Sequence, residues 1–169
     1  MKKLYQLATL TTAESDALAA LSKEANASPW SAASYRASLE QGHQMVGAQT
    51  PEGELLGFLV WSVVCEEAEV LDLAVTTAAR RQRIAHALLA ACMEAASQQG
   101  AERLLLEVRA GNTGAQAFYA ADGFQPLARR KDHYLAAHPR AALEDALSYV
   151  PPLLPAVGST LRWLAWISV

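Results

Sequence analysis

The chain has 169 residues, with 14 Lys and Arg against 17 Asp and Glu, a formal charge of −3. That length suits one domain whose core needs no disulfide or metal, and the negative balance argues against a general nucleic-acid binder. Hydrophobic residues reach 52%, but Ala alone takes 35 positions, so the chain reads as an alanine-rich soluble protein rather than a membrane or disordered one.

Met1-Lys2-Lys3-Leu4-Tyr5-Gln6 has neither a long apolar run nor a small-residue cleavage site, which points to the cytoplasm. Thr11-Thr12-Ala13-Glu14 reads as a capping box. Leu18, Leu21 and Ala25 follow at helical spacing, predicting a first helix from about Thr12 to Ala27. Pro29 ends it, and Trp30-Ser31 opens a second, short helix through Leu39, stopped by Gly42. Gln44 to Gln49 reads as a strand, Thr50-Pro51-Glu52-Gly53 as a turn, and Leu55 to Cys65 as a long apolar strand. Glu66-Glu67 suits a hairpin, and Ala68 to Val75 reads as a buried strand. The first half is therefore two helices and then an antiparallel meander. Cys65 and Cys92 lie far apart in apolar contexts, without metal-ligand spacing, and read as two buried thiols of a reducing compartment; no metal is expected.

Arg80 to Gln99 is strongly helical, with Gly100 as its stop. Leu104 to Val108 is a strand, and Asn112 to Ala121 a helix ended by Asp122-Gly123. Phe124 to Leu127 with Arg129 to Tyr134 gives a further strand, and Ala146 to Val150 another. This order implies right-handed crossovers onto a mostly parallel stretch, and an α/β fold with a mixed sheet flanked by helices. Pro151-Pro152 marks a boundary, dividing a domain of residues 1–150 from an apolar extension of residues 151–169. The extension is short for a membrane span, which needs about 20 apolar residues. Gly158-Ser159 could cap a helix in it through Ile167, and Trp163 and Trp166 would mark either a partner surface or packing onto the domain.

Three features carry chemistry. Leu71-Asp72-Leu73-Ala74-Val75 leads through a short loop into Arg80-Arg81-Gln82-Arg83-Ile84-Ala85-His86, within which a helix begins. Helix N-termini offer unpaired N–H groups to phosphate, although a basic surface turn is the plainer reading. Glu107 lies in an otherwise apolar strand, sharing a face with Leu105 while Leu104, Leu106 and Val108 share the other. It is either a surface carboxylate, a salt-bridge partner of Arg109, or a general base in a cleft. Tyr119 is either a core tyrosine or a proton donor in the cleft between the two strands.

Leu106-Glu107-Val108-Arg109-Ala110-Gly111-Asn112, followed by Ala117-Phe118-Tyr119-Ala120-Ala121-Asp122-Gly123-Phe124, resembles the GNAT superfamily of N-acetyltransferases, and more narrowly its RimI type, the ribosomal-protein-alanine N-acetyltransferases. Pro29-Trp30-Ser31, Leu73-Ala74-Val75, and Arg129-Arg130 with Tyr134 match that type in order, from about Leu4 to Val150. The resemblance implies acetyl-CoA as cosubstrate, bound along Leu73, Ala74 and Val75, with its pyrophosphate cradled by Arg81, Gln82, Arg83, Ile84, Ala85 and His86, and a further bond from Asn112. It implies Glu107 as proton acceptor and Tyr119 as proton donor. The acceptor would be the N-terminal alanine of small-subunit ribosomal protein eighteen, whose basic start Glu66, Glu67 and Glu69 could attract, although a solvated turn is the plainer reading of those three. Another amine, a lysine side chain, or a catalytically weak CoA-binding module are the competing functions. A monomer or weak homodimer is expected, with no membrane and no direct nucleic-acid contact.

Two departures stand out. The family's phosphate loop has glycine where this chain has Arg83, and glycine or alanine where it has Ala85. An Arg83 Cβ would crowd the pyrophosphate, or its guanidinium would swing out to the cofactor's outer phosphates; the second fits the neighbouring matches better. Leu135 to Ala142 lacks the usual glycine of the loop that would border the acceptor.

Overall fold

The computed structural model describes residues 5–134 and 144–150, with the side chains of 132–134, 144, 145 and 150 left aside. Its elements run β1 (Gln6–Thr9), α1 (Ser15–Ala25), α2 (Ala32–Glu40), β2 (Gln44–Gln49), β3 (Leu55–Val64), β4 (Glu67–Val75), α3 (Ile84–Gln98), β5 (Arg103–Arg109), α4 (Thr113–Ala121), β6 (Gln125–Tyr134) and β7 (Glu144–Val150). The described strands form one sheet in the order β1-β2-β3-β4-β5-β7-β6. β1 through β4 pair antiparallel, β4 pairs parallel with β5, and β5-β7 and β7-β6 return to antiparallel. The mostly parallel second half expected from the element order thus reduces to the β4–β5 pair. The crossover through α4 still carries the chain from β5 to a parallel β6, but it skips one position, and β7 returns antiparallel to fill the gap between them.

Local chemistry sets the boundaries. The Thr11 hydroxyl accepts from the Ala13 N–H and Glu14 reaches back to the Thr11 N–H at 2.7 Å, so the capping box forms. It first makes a 3-10 turn, Thr12–Glu14, and the α-helix follows from Ser15. Ser31 caps α2 by accepting from the Ser34 N–H at 3.1 Å. Asn112, expected inside the next helix, is instead the N-cap of α4.

Alternation assigns the faces of the sheet. Val46, Leu59, Trp61, Leu104, Leu106 and Val108 pack with α3 and with Tyr119 of α4 on one face. Met45, Phe58 and Val60 pack with Leu18, Leu21 and Tyr35 of α1 and α2 on the other. In β4 the parity changes. Val60 pairs with Asp72 but Trp61 pairs with Val70, so Leu71 is an extra residue. Ala68 and Val70 face α3 before it, and Leu73 and Val75 face α3 after it. The bulge therefore turns Asp72 toward α1 and α2.

Cys92 is buried in the α3 core, but Cys65 is exposed, correcting the expected pair of buried thiols. Cys65 sits at the β3–β4 hairpin tip with φ 54°, where its side chain turns outward. Gly57 marks a close approach of β3 to β4 and α3. A Cβ there would lie 3.0 Å from the Ala74 carbonyl oxygen and 3.1 Å from methyl groups of Val75 and Ile84. Gly57→Ala is expected to lower the unfolding free energy by about 1–3 kcal/mol in urea denaturation; an unchanged midpoint would mean that β4 and α3 give way without cost.

Candidate active site

The parallel pairing of β4 with β5 runs only from Glu67–Arg103 to Val70–Leu106. Beyond it the strands part. Leu71 to Val75 keep β3 as neighbour on one side, and their other edge faces the opening. Two cavities meet at this split, and Ala25, Asn26, Leu73, Asn112, Ala115 and Tyr119 line both.

The first cavity, about 760 Å³, is walled by β4 from Val70, β5 from Leu106, and the α1–α2 loop from Asn26 to Trp30. Glu107 lines it on the face of the sheet opposite α3, because Leu104, Leu106 and Val108 take the α3 face. Its side chain is 17% exposed, and its Oε1 accepts from Arg130 Nη1 of β6 at 2.8 Å and from the Ser148 hydroxyl of β7 at 3.4 Å. The expected partner Arg109 turns elsewhere, donating to Ser28 Oγ at 2.6 Å across the cavity. Asp72 lines the same cavity. Its Oδ2 accepts from the Tyr35 hydroxyl at 2.6 Å and its Oδ1 from Asn26 Nδ2 at 3.0 Å. Burial holds its carboxyl above the usual aspartate range, against the opposing pull of those two donors.

The second cavity, about 690 Å³, runs from the free edge of β4 to the start of α3. Leu73, Ala74 and Val75 line it, as do Arg81, Arg83, Ile84, Ala85 and His86. Asn112 lines it too, with its Oδ1 already capping α4 through the Ala115 N–H at 3.1 Å, which leaves the amide Nδ2 for a ligand. Gln82 is absent from this wall; its side chain turns back to the Ala78 carbonyl oxygen at 3.4 Å. Arg80, which belongs to the basic run before the helix but not to the residues the resemblance implies, joins the wall. Among the described residues none of Arg80, Arg81 and Arg83 forms an ion pair, so the cavity mouth carries cationic charge without a protein counter-charge. His86 Nδ1 lies 3.3 Å from Asp122 Oδ2 at the end of α4.

The helix expected from Arg80 starts four residues later, at Ile84. Arg81 and Arg83 have φ of 63° and 59°, in the left-handed region that no α-helix admits. Arg83 thereby ends the loop, and Ile84, Ala85 and His86, whose N–H groups have no acceptor in the helix's own ladder, line the cavity beside the arginines.

Tyr119 is 6% exposed and packs against Phe118, Phe124 and Tyr149. It reaches the split from the α3 face, whereas Glu107 and Asp72 reach it from the other. Burial, and after it the negative charges of Asp72 and Asp122, push its hydroxyl well above the ordinary tyrosine range, so it stays protonated at neutral pH.

A profile described as the Acetyltransferase (GNAT) family matches residues 10–124. The chain is a GNAT acetyltransferase. It is 30% identical over 148 residues to the [Ribosomal protein bS18]-alanine N-acetyltransferase of Escherichia coli K12, spanning 87% of this chain and 97% of that protein. The enzyme of that name from Salmonella typhimurium LT2 is 28% identical over the same shares. The crystal structure of the ribosomal-protein-S18-alanine N-acetyltransferase from Escherichia coli superposes with TM-score 0.78 at 27% identity, covering 90% of this chain and 96% of that one. Nourseothricin acetyltransferase has the same fold, at 21% identity and TM-score 0.71 over 88% of this chain and 98% of that one. As a GNAT enzyme this protein transfers acetyl from acetyl-CoA to an amine. Among the described residues no helix is long and apolar enough to cross a membrane. The extension of residues 151–169 and the loop from Leu135 to Ala142 fall outside the described residues, Ala142 included.

Proposed function

We propose that this enzyme acetylates the N-terminal α-amine of a protein, the alanine of ribosomal protein bS18, with Glu107 as proton acceptor and Tyr119 as proton donor. The observation that carries this reading is that Glu107 and Tyr119 reach one split from opposite faces of the sheet. The names of the relatives supply the acceptor.

The chemistry follows from the groups. An α-amine has a pKa near 8 and is largely protonated at neutral pH. Glu107 takes its proton, directly or through water, and the freed nitrogen attacks the thioester carbonyl carbon. Charge grows on the carbonyl oxygen, where N–H groups on the free edge of Leu71–Val75 offer hydrogen bonds. The C–S bond breaks and Tyr119 gives its proton to the leaving sulfur. The nitrogen sheds its second proton to the tyrosinate so formed, leaving a neutral amide, a free thiol and a restored Tyr119, with the first proton passing from Glu107 to solvent. Arg130 and Ser148 fix the Glu107 carboxylate in the cavity.

The cosubstrate is a long polyanion with a thin thioester arm. The second cavity suits it: the arm lies along Leu73, Ala74 and Val75, and the phosphates meet Arg81, Arg83 and the N–H groups of Ile84, Ala85 and His86. Asn112 holds the arm through its free amide. Arg83 keeps a glycine-like backbone and turns its guanidinium to the outer phosphates. Arg83→Gly is therefore expected to unfold no more easily, with a gain of up to about 1 kcal/mol from the relieved left-handed conformation. Its Kd for CoA is expected to rise about tenfold from the lost charge-assisted contact. Calorimetry and thermal unfolding read both; unchanged affinity would place Arg83 away from the phosphates.

On the acceptor side, Glu67 is paired to Arg103 at 3.4 Å, while Glu69 is pushed toward the protonated form by burial and by the charges of Glu107 and Glu67. Glu69 thus adds to the negative field around Glu107, which a basic peptide would relieve. The test is acetyl transfer read by mass spectrometry. One peptide has a free N-terminal alanine followed by basic and aromatic residues; the other has a blocked N-terminus and an internal lysine. Modification of the first alone supports the proposal. Modification of the second, or of neither while CoA binds, overturns it.

A further inference from the structure

Two carboxylates face the first cavity, and they differ in what neutralises them. Glu107 has a guanidinium 2.8 Å away. Asp72 has none: its partners are the Tyr35 hydroxyl, the Asn26 amide and the Leu73 backbone N–H, all neutral. Tyr35 is fully buried against Trp30 and Phe58, so water does not reach Asp72 from that side. A carboxylate hemmed in this way is costly unless a cation completes it. The Leu71 bulge turns Asp72 to the same side of the sheet as Glu107, and both line the cavity.

We propose that Asp72 is the ammonium-binding residue of the acceptor site: it receives the charged amine in the first cavity, beside Glu107, and thereby selects free amines over their acetylated products. This rests on the amine-acetylation reading above. It divides the labour between the carboxylates. Asp72 holds the cationic acceptor, and Glu107, its charge already balanced by Arg130, accepts the proton. After transfer the nitrogen is a neutral amide that offers Asp72 at most an uncharged N–H donor, so its hold weakens and the product leaves. The rival role for Asp72 is purely structural, tying β4 to Asn26 and Tyr35.

The test uses Asp72→Asn in the full chain and the alanine-terminated peptide. The expected result is a KM for the peptide raised about tenfold or more, from the lost charged contact, with the KM for acetyl-CoA within twofold of wild type. A second measurement compares binding of that peptide with its Nα-acetylated form in the presence of CoA. Wild type is expected to favour the free amine about tenfold, Asp72→Asn to lose the preference, and Glu107→Gln to keep most of it. An unchanged peptide KM, a loss confined to kcat, or a preference abolished by Glu107→Gln instead would each overturn the proposal. If Asp72→Asn does not fold, equal wild-type affinity for the two peptides still overturns it. If wild type acetylates no amine at all, it is the functional reading that fails; if wild type is active and Asp72→Asn keeps its peptide KM, only the role of Asp72 fails.

Discussion

Glu107→Gln is expected to cut kcat by about 10²–10⁴-fold, the usual share of a positioned general base, while the KM for acetyl-CoA stays near wild type. Glutamine keeps the shape of the side chain and can still accept from Arg130 and Ser148. It cannot take a proton from an ammonium at neutral pH. The cosubstrate cavity is not lined by Glu107, so cosubstrate affinity has no reason to change. The measurement is steady-state transfer to the alanine-terminated peptide, with thermal unfolding as the control for the fold. A kcat within about threefold of wild type would assign the proton to another group.

Tyr119→Phe is expected to lower kcat by about 10²-fold through loss of the proton donor, with the unfolding free energy little changed. The ring carries the packing: it meets Phe118, Phe124 and Tyr149, and phenylalanine preserves each contact. Tyr119→Ala should in contrast cost about 3–5 kcal/mol of stability, as large aromatic deletions do. The pair separates the two readings of a buried tyrosine. A phenylalanine variant with full activity would leave Tyr119 as a core residue only. A slower acetyl transfer that is recovered with a better leaving thiol would tie its hydroxyl to the departing sulfur.

The sequence carried the element order well, because the strongest signals were local. The capping box at Thr11–Glu14, the turn at Thr50–Gly53 and the stop at Gly100 each appear where side-chain chemistry demanded. β1 went unseen because it is four residues long and mostly exposed, so it has no alternation to read. β7's insertion beside β5 is a pairing choice that periodicity does not encode. The start of α3 is hidden because arginine is a good helix former, and nothing in its chemistry announces a left-handed backbone. Only the resemblance, with glycine at the Arg83 position, hinted at that geometry.

The candidate site divides the same way. Glu107 drew attention as a carboxylate in an apolar strand. Asp72 sends the same signal from Leu71-Asp72-Leu73, yet strict alternation hides which face it takes. The bulge that decides the face depends on β3 and leaves no mark in β4 itself. Position puts Gln82 in the phosphate loop, but its side chain bonds the preceding turn instead. A motif places a backbone; it does not aim every side chain on it.

β6 is the outermost strand on its side of the sheet, and among the described residues it pairs with β7 alone. A bare strand edge is a template on which a second copy can stack, and such stacking begins aggregation. Here the exposed edge carries Arg129, Arg130 and Lys131 in succession. A second copy arriving edge to edge would bring like-charged side chains against them. The arginine that steadies Glu107 thus belongs to a run whose charge opposes edge-to-edge stacking at the outermost described strand.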